Sequence, residues 1–349
     1  MEKKKVAVIF GGRSGEHEVS IRSARGVMEA LDHERWEAIP FGVTRPGNWM
    51  TVDETRRVLA SGDRKFSTGG APLLLSEALR DLAACDIAFP LIHGTFGEDG
   101  TIQGFLELAG LPYAGCAVAA SAIGMDKALM KALFREAGVR QAKYAVVRSW
   151  DVEENATRAT LYIEQTIGYP CFVKPANGGS SVGITKVRSR EDIGRAFTEA
   201  FRYDDKAIVE QAITGQEVEV SVLGNEHPEA SIAGEIAPDR EFYDFDSKYS
   251  STSRTALHVP ARVPEAVAAK VRELAVRMYQ VMGCEGYARV DFFVTADGDI
   301  LANEINTIPG FTSISMFPKL WEASGLPYRA LLTRILELGL EREARRSKR

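Results

Sequence analysis

The chain has 349 residues, of which 45% are hydrophobic and 26% charged, and its formal net charge at pH 7 is −5. This negative charge argues against a general nucleic-acid binder, and no apolar run approaches the roughly 20 residues that a membrane-spanning helix needs. The length exceeds that of one ordinary hydrophobic core, so two or three domains are expected.

The first residues predict a strand of the folded protein. MEKKKVAVIFGG enters a short apolar run that ends in glycines and has no small-residue cleavage site, so we interpret it as a first strand and not as a signal peptide. The cysteines are isolated, with no CxxC pattern and no nearby His at metal-ligand spacing; they are Cys85, Cys116, Cys171 and Cys284. Reduced thiols and a cytoplasmic location are therefore expected, rather than disulfides or a zinc site.

The first third of the chain alternates strand and helix patterns. Strands are predicted at 5–10, about 36–44 and 85–92, and helical patterns at 18–31 and 99–110. Such alternation implies an open α/β sheet with parallel strands.

The pattern changes after a predicted helix at about 126–137, which ends in a Gly signal. A small α+β unit follows, with strands near 143–148, 170–174, 183–188 and 207–211 and helices near 153–167 and 190–202. From residue 216 onward the sequence predicts two further strands, a polar stretch at 239–256, a long helix at 264–282, a hairpin at 289–306 and a final helix at about 327–344.

A glycine-rich loop, FGGRSGEHEVS at 10–20, follows the first strand and precedes a helix. Its glycines do not form G-x-G-x-x-G, so the pattern supports a dinucleotide site only weakly. Amides at the helix start favour an anion, and Glu16 adds a negative charge beside them, which together suit a zwitterion. A helix start at which Glu16 and Glu18 only complement the helix dipole is an equally good interpretation.

A second glycine-rich loop lies within YPCFVKPANGGSSVGITKV. An apolar strand leads to Lys174, and the loop at 177–183 then turns into another strand. The loop is not a Walker A motif, but its amides and hydroxyls can surround phosphate oxygens while Lys174 adds a fixed positive charge. The alternative is a tight hairpin with a surface Lys, which the apolar run before Lys174 argues against.

Two further segments fit a nucleotide. Glu210, inside the apolar strand 208–213, and the nearby Glu217 can hold ribose hydroxyls, although solvated edge positions remain an alternative. The segment FYDFDSKYS at 242–250 is aromatic and polar without clear periodicity. It is interpreted either as a lid that excludes water from a reaction or as an ordinary surface loop.

Two further loops carry polar groups, one at the edge of the parallel sheet and one directly after the hairpin at 289–306. PLIHGTFGEDG places His93 at the carboxyl end of the parallel sheet, where open α/β folds bind ligands. A lone His is more often structural, so His93 is expected behind the site. NTIPGFTSIS, at 306–315, supplies Gly310 for a close backbone approach and small hydroxyls as donors.

The hairpin RVDFFVTADGDILANEIN, at 289–306, contains a strong two-residue turn signal, Asp297-Gly298. A turn at these residues places Ala296 opposite Asp299 and, further along, Asp291 opposite Glu304. Directly opposed carboxylates repel and weaken a hairpin, so their pairing indicates a functional role.

A bound Mg²⁺ would give this pair a purpose. With Arg289 opposite Asn306, the side chains of Asp291, Glu304 and Asn306 share one face and offer only hard oxygen ligands. Mg²⁺ typically binds few carboxylates together with substrate phosphates. The alternative is a surface hairpin whose acids pair with Arg289 or a nearby Lys.

The combined motifs resemble those of the D-alanine–D-alanine ligases of the ATP-grasp superfamily over nearly the whole chain. They are, in order, GGRSGEHEVS, MDKALMK, FVKPANGGSSVG, FYDFDSKY, ARVDFF and NEINTIPGFTSIS. The resemblance implies an α/β and α+β protein with a three-domain ATP-grasp architecture. Its parts would be an N-terminal open parallel sheet domain for substrate (1–125), a central small domain (126–213) and a C-terminal domain with the metal site and lid (214–349).

The resemblance also implies the cofactor-binding residues. Lys127, Lys174 and Lys248 would contact ATP phosphates under a loop that contains Ser181, and Glu210, Glu217 and Ile213 would hold the adenosine part. Asp291, Glu304 and Asn306 would ligate two Mg²⁺ ions, for which Mn²⁺ can substitute. Gln211 departs from the family pattern, because many relatives carry Lys there.

By the same resemblance, ATP converts one D-alanine to an acyl phosphate, and the amine of a second D-alanine then displaces phosphate to give D-alanyl-D-alanine for peptidoglycan. Glu16, Ser180 and Tyr249 would form a linked set around the first substrate. Arg289 and the Gly310 amide would stabilise the oxyanion. Ser315 would hold the second carboxylate, and Met316 would line the methyl pocket.

The remaining expectations concern location, oligomeric state and choice of product, the last of which follows from the same resemblance. A cytoplasmic homodimer is expected, acting on small molecules rather than on nucleic acid or membrane. Tyr249 favours the dipeptide product over D-alanyl-D-lactate. The alternatives are an ATP-grasp ligase with D-serine or D-lactate as second substrate and an NAD(P)-linked oxidoreductase.

Overall fold

The computed structural model describes residues 2–62, 75–179, 182–237, 255–312 and 314–348, with the backbone alone at residues 75 and 76. Its helices are α1 (His17–Ala30), α2 (Val52–Ser61), α3 (Leu75–Leu82), α4 (Thr101–Leu108), α5 (Val118–Met125), α6 (Lys127–Glu136), α7 (Ser149–Thr166), α8 (Arg190–Ala200), α9 (Glu265–Val281), α10 (Met316–Ala323) and α11 (Tyr328–Arg346). Its strands are β1 (Lys4–Gly11), β2 (Trp36–Val43), β3 (Ile87–Pro90), β4 (Tyr144–Arg148), β5 (Cys171–Pro175), β6 (Thr185–Val187), β7 (Lys206–Gln211), β8 (Gln216–Leu223), β9 (Glu229–Ala237), β10 (Ala256–His258), β11 (Tyr287–Val294) and β12 (Ile300–Asn306).

The N-terminal sheet is the parallel sheet that the sequence predicts, with the order β2-β1-β3. Strand β1 is buried on both faces, as is usual for a parallel sheet covered by helices. Val6, Val8 and Phe10 pack into one core that includes α1 and α11. Ala7 and Ile9 point the other way, into a core that includes α3 and α4. The glycine-rich loop at 10–20 therefore emerges at the carboxyl end of a rigid central strand.

The central sheet is antiparallel, with the order β4-β7-β5-β6, and confirms the predicted α+β unit. Helices α7 and α8 supply Ile163 and Phe197 to a core that also contains Cys171 and Val173 of β5. Because side chains alternate along a strand, Phe172 and Lys174 are directed to the opposite face, away from these helices.

The C-terminal sheet is also antiparallel, with the order β10-β9-β8-β11-β12. Helix α9 packs against it through Val271, Ala275 and Met278. The same core includes Met130 and Phe134 of α6, so α6 is anchored on this sheet while its first residue reaches toward the central one.

The loop of the β11–β12 hairpin differs from the prediction. The prediction of a two-residue turn at Asp297-Gly298 is wrong, because the last strand pair is Val294–Ile300 and the loop comprises the five residues 295–299. Thr295 closes this loop: its carbonyl accepts a 2.9 Å hydrogen bond from Gly298 N, and its hydroxyl accepts one of 3.2 Å from Asp299 N.

The predicted register is nevertheless confirmed at the far end of the hairpin, where Asp291 lies opposite Glu304 and Arg289 opposite Asn306. The register shifts by one residue between Phe292, which faces Ala302, and Asp291. Asn303 is the extra residue of this β-bulge, and it offsets the longer loop.

The last helix of the described chain packs on the first sheet. Leu331, Ile335 and Leu338 of α11 belong to the same core as β1 and β3. Arg342, which is buried, donates hydrogen bonds to the Tyr113 and Gly115 carbonyl oxygens at 2.7 Å and 2.5 Å. The protein thus returns to its N-terminal sheet after completing the C-terminal one.

Some helices lie in segments for which no element was predicted, namely α2, α3, α5 and α10. Most of the predicted polar stretch at 239–256 lies outside the described residues. None of the helices in the described ranges is both long and apolar enough to cross a lipid bilayer.

Candidate active site

A cavity of about 310 Å³ lies where the three sheets meet. It is lined by every predicted site residue that the structure describes: Glu16, Lys127, Lys174, Glu210, Ile213, Glu217, Arg289, Asp291, Glu304, Asn306, Gly310 and Ser315. Ser180, Ser181, Lys248 and Tyr249 lie outside the described residues. Residues separated by up to 300 positions thus converge on one space.

Two lysines share one carboxylate on the central-sheet side of this cavity. Lys174 of β5 donates a 2.6 Å hydrogen bond to Glu210 Oε2 of β7, and Lys131 Nζ of α6 lies 3.2 Å from Glu210 Oε1. Burial alone would raise the pKa of Glu210, but Lys131 and Lys174 outweigh burial and lower the pKa to about 2. The Lys174 side chain is only 14% exposed, so it is not a surface lysine.

Lys131 was not predicted, although it belongs to the MDKALMK segment. Its side chain is 1% exposed, and burial lowers its pKa although Glu210 opposes that shift. The spacing from Lys127 is four residues, which places both ammonium groups on one side of α6. This four-residue spacing could have identified Lys131 from the sequence.

The start of α6 is joined to the second glycine-rich loop. Asp126 caps the helix by accepting hydrogen bonds from Ala128 N and Leu129 N, at 3.0 and 3.1 Å, and it also pairs with Lys206. Lys127 Nζ donates a 2.6 Å hydrogen bond to the Gly178 carbonyl oxygen. The loop and the helix that carries Lys127 therefore approach the cavity together.

The same loop also approaches Glu16. A Cβ at Gly179 would lie 2.9 Å from Glu16 Oε2, so a larger residue here would require the Glu16 side chain to shift. Glu16 is the N-cap residue of α1, but its side chain makes no capping hydrogen bond to the helix. Its carboxylate lines the cavity instead.

Three carboxylates lie in a row across the C-terminal sheet. Asp291 of β11 is opposite Glu304 on one side and opposite Glu219 of β8 on the other. Arg289 donates two 2.8 Å hydrogen bonds to Asp291, and its Nε lies 3.1 Å from Glu219 Oε2. Glu304 Oε2 lies 3.9 Å from Lys127 Nζ.

The acids of the hairpin thus pair with Arg289 and a lysine, as the alternative interpretation proposed, but the hairpin is not a surface feature. Asp291 is 9% exposed and lies in an inner strand of the sheet. Within the described ranges, no cluster of three or more His, Cys, Asp or Glu side chains is arranged to hold a metal ion. The oxygens of Asp291, Glu304 and Asn306 are hard donors, which fits Mg²⁺ bound jointly by few carboxylates and by phosphates.

Glu219 was missed by the sequence analysis. It follows Glu217 by two residues on the same face of β8, but only the pairing of β8 with β11 places it beside Asp291. Burial disfavours the charge of Arg289, yet the carboxylates of Asp291 and Glu219 outweigh burial and raise the pKa of the guanidinium further. A permanently charged Arg289 is therefore held between two acids.

His93 joins the N-terminal sheet to the loop after β12. It is 2% exposed, its Nδ1 contacts the Ile308 carbonyl oxygen at 2.9 Å, and its Nε2 contacts Ser23 Oγ at 2.9 Å. Burial lowers the pKa of His93, but Glu98 and Glu16 raise it by more. Both ring nitrogens are bonded to the protein, as suits the expected structural role, although the ring also lines the cavity.

The loop after β12 forms the last wall of the cavity. Ser315 is the N-cap residue of α10, and its Oγ lies 2.8 Å from Thr312 Oγ1 and accepts a 3.1 Å hydrogen bond from Thr312 N. A Cβ at Gly310 would lie 2.6 Å from Ser315 Oγ, so any other residue here would displace the Ser315 hydroxyl. Met316, 5% exposed, follows in the first turn of α10.

Two antiparallel sheets that enclose lysines, acids and a glycine-rich loop, beside a parallel-stranded N-terminal sheet, define an ATP-grasp ligase. Two family models match: "D-ala D-ala ligase N-terminus" over residues 5–116 and "D-ala D-ala ligase C-terminus" over residues 133–337. The chain belongs to the D-alanine–D-alanine ligase family and is an ATP-dependent ligase.

Individual relatives are similar to this chain over nearly their full lengths. A D-alanine–D-alanine ligase of Geobacillus thermodenitrificans is 46% identical, covering 97% of this chain and 96% of its own. The solved D-alanine–D-alanine ligase of Coxiella burnetii is 34% identical, with a TM-score of 0.82, over 100% of this chain and 97% of its own. The VanG D-Ala:D-Ser ligase of Enterococcus faecalis is 37% identical, with a TM-score of 0.83, over 97% of this chain and 100% of its own.

Proposed function

We propose that this protein joins two D-alanines to D-alanyl-D-alanine for peptidoglycan precursor synthesis, driven by ATP through an acyl phosphate. One observation carries the proposal: Lys174, Glu16 and the acids of the β11–β12 hairpin line a single cavity. That arrangement offers a phosphate-binding side, a metal-binding side and an amino-acid side within reach of one another. The curated relatives carry the same activity in their names.

The nucleotide would occupy the space between the central and C-terminal sheets. Lys127 and Lys174 would bind phosphate oxygens, with Ser181 and Lys248 contributing from the loop and the lid. Glu217 and the lysine-paired Glu210 would hold the adenosine hydroxyls and amine. Ile213 would contact the adenine, because it lines the cavity together with other apolar side chains, those of Phe172, Val182, Ile184 and Phe293.

Asp291, Glu304 and Asn306 would hold two Mg²⁺ ions, or Mn²⁺ in their place. When bound, the metal supplies charge neutralisation to the phosphates during phosphoryl transfer. One observation supports this role for Asn306: its Oδ1 accepts a 3.0 Å hydrogen bond from Ile308 N and keeps a second lone pair.

The amino acids would lie on the other side of the phosphates. Glu16 would bind the first ammonium, and Ser180 would link it to Tyr249 of the lid. Arg289 and the Gly310 amide would stabilise the oxyanion that develops when the second amine attacks, and such preorganised donors commonly provide the largest catalytic effect.

The second D-alanine would be held at α10. Ser315 would bind its carboxylate through the hydroxyl and the exposed amides of the helix start. Met316 would border its methyl group and limit the size of that side chain.

The proposal extends to organisation. We propose the division 1–125, 126–213 and 214–349, which follows the three sheets although α6 and α11 each pack into a neighbouring core. We also propose a cytoplasmic homodimer.

The assay that tests the proposed function measures ADP release at saturating ATP and Mg²⁺ with single amino acids. We expect D-alanine to stimulate ADP release strongly, L-alanine not to stimulate it, and mass spectrometry to find the dipeptide. ADP release that is indifferent to D-alanine contradicts the proposal.

A second candidate is D-alanyl-D-serine formation, which the similarity to the D-Ala:D-Ser ligase of Enterococcus faecalis favours. Competition between D-alanine and D-serine at equal concentration, with the products separated by mass, distinguishes the two. D-Lactate serves as the third acceptor, and a D-lactate preference at neutral pH would exclude both peptide products.

A further inference from the structure

We infer that Glu219 is a positioning residue for Arg289. It holds the guanidinium in the site when Asp291 binds the metal instead of Arg289. The inference rests on the proposed function for its kinetic part, and it concerns a residue outside the set predicted from sequence. Its basis is the position of one guanidinium between two buried carboxylates on adjacent strands.

The position of Glu219 is fixed by strand pairing. β8 and β11 are antiparallel neighbours, and their register places Glu219 directly opposite Asp291. Opposed side chains share a face and lie about 5 Å apart at Cβ. The two acids are 5% and 9% exposed, so neither charge is solvated by bulk water.

Arg289 is the cation that lies between these charges. It shares a face with Asp291, two residues along β11, and it binds Asp291 in a bidentate way, with Nε to Oδ1 and Nη2 to Oδ2 both at 2.8 Å. The single hydrogen of Nε is donated to Asp291, so the 3.1 Å contact of Nε with Glu219 Oε2 is an ion pair.

The arrangement must change when ATP and metal arrive. Asp291 carries one negative charge, and it cannot neutralise a dication and a buried guanidinium at the same time. Removing the partner of a buried charge is strongly destabilising, so Arg289 needs another acid to remain in the cavity. Glu219 is already in ion-pair contact with it, on the side away from Glu304.

The consequence is catalytic. Arg289 can stabilise the oxyanion only if its orientation survives the loss of its bonds to Asp291, and a charged hydrogen-bond partner provides that orientation. With Glu219 as the remaining anchor, Nε–H can turn from Asp291 to Glu219, while the terminal nitrogens are released toward substrate.

A different role for Glu219 would be as a further metal ligand, since it belongs to the same row of carboxylates. The two roles have different consequences. A metal ligand controls metal affinity whichever residue occupies position 289, whereas an anchor for Arg289 affects turnover and metal affinity only while Arg289 is present. The test separates these outcomes.

The test compares Glu219→Gln with the wild type, and Glu229→Gln, an exposed acid at the start of β9, serves as the matched control. The first readout is kinetic: we expect kcat to fall about 10- to 100-fold, below the loss of about 100- to 1,000-fold seen when an oxyanion donor is removed outright. KM for ATP should stay within about twofold, and Glu229→Gln should match the wild type.

The second readout is Mn²⁺ binding in the presence of ADP, followed by electron paramagnetic resonance without turnover. We expect the Kd for Mn²⁺ to weaken in Glu219→Gln, because Arg289 then competes with the metal for Asp291, and to change by less than about threefold when Glu219→Gln is added to Arg289→Lys. A tenfold weaker Kd in both backgrounds would identify Glu219 as a metal ligand and overturn the inference, as would an unchanged kcat.

The third readout is a double-mutant cycle with Arg289→Lys, which keeps the charge but loses the bidentate geometry. We expect Glu219→Gln to lower kcat by less than about threefold in that background. Additive losses would show that Glu219 acts independently of Arg289, and they would overturn the inference.

If Glu219→Gln does not fold, Glu219→Asp keeps the charge and shortens the reach. A kcat at least about threefold below wild type supports the anchor, and a kcat equal to wild type contradicts it. A wild-type protein without D-alanine-dependent ADP release would instead refute the proposed function and leave the Mn²⁺ result as the separate measure of Glu219.

Discussion

Lys174 and Glu210 lie on neighbouring strands of the central sheet, and the lysine ammonium donates a 2.6 Å hydrogen bond to the carboxylate. Lys174 is thus held in a fixed position before any phosphate arrives. We expect Lys174→Met to raise KM for ATP at least about tenfold, because a charged hydrogen bond contributes about 1.5–3 kcal/mol. Steady-state kinetics measure this effect. Lys143→Met, an exposed lysine before β4, is the control, and equal KM values for the two variants would contradict the assignment.

Lys131 should govern the charge of Glu210. Its removal leaves a buried carboxylate with one cation instead of two, so burial should shift the pKa of Glu210 upward from about 2. In Lys131→Met we expect the acid limb of kcat/KM for ATP to move to higher pH. The free energy of unfolding at pH 7 should fall by about 1–3 kcal/mol.

A pH–rate profile from pH 4 to 8 measures the shift. The profile of Lys143→Met should overlay that of the wild type. An unchanged acid limb in Lys131→Met, together with normal binding of ATP, would show that Lys131 is dispensable for the charge of Glu210.

Glu304→Gln should lower kcat by at least about 100-fold, because it removes one of two proposed metal-ligand charges and leaves Lys127, 3.9 Å away, without its acid. The measurement is ADP release over a Mg²⁺ titration. Glu273→Gln, an exposed acid on α9, is the control and should behave as wild type. Near-normal turnover of Glu304→Gln at saturating Mg²⁺ would argue against the metal assignment.

Met316→Ala should relax the choice of second substrate. Removing this buried side chain enlarges the pocket beside Ser315, and one methylene is worth about 1–3 kcal/mol in a hydrophobic pocket. We expect D-2-aminobutyrate to gain about tenfold in kcat/KM relative to D-alanine. Leu320→Ala is the matched control, since Leu320 packs in the same small core but does not line the cavity. The assignment fails if both variants change selectivity equally.

The pair Glu235–Arg262 should stabilise the fold in a pH-dependent way. Hydrogen bonds from Arg262, at 3.0 Å from Nε and 2.8 Å from Nη2, lower the pKa of Glu235 to about 2, although burial opposes them. The lowered pKa means that the stabilisation is complete above the unfolded pKa of about 4.5 and is lost as pH falls toward 2.

Because the Arg262 side chain is 59% exposed, solvent screens the pair, and we expect Glu235→Gln to cost about 1–2 kcal/mol at pH 7. Urea unfolding at pH 7 and pH 3 measures the difference, which should shrink at the lower pH. Glu273→Gln should change neither value by more than about 0.5 kcal/mol. A difference that is constant with pH would contradict the role of the charge.

Patterns that repeat along the chain were sufficient for much of the fold. Continuous apolar runs identified the parallel strands β1 and β3, and the opposed pair Asp291–Glu304 followed from alternation along two strands. The turn prediction failed because Thr295 closes a five-residue loop through its own side chain, a competitor that the Asp-Gly signal does not reveal. The bulge at Asn303 restores the predicted register at Asp291 and Glu304.

Groups that depend on distant pairing could not be predicted in this way. Glu219 meets Asp291 only because β8 joins β11, strands separated by 63 positions of sequence between their last and first residues. The partnership of Lys131 with Glu210 likewise requires α6 to lie against the central sheet. Local periodicity shows which face a side chain occupies, but it does not show which strand or helix will lie beside that face.

The packing of α11 on the N-terminal sheet has a consequence for how the protein folds during synthesis. Leu331 and Ile335 complete the core around β1, more than 300 residues after that strand leaves the ribosome. Contacts between such distant positions form slowly, because the intervening chain must first be brought together. The N-terminal sheet should therefore remain incompletely buried until translation of α11, and chaperones that shield apolar surface would have their longest window of access at β1.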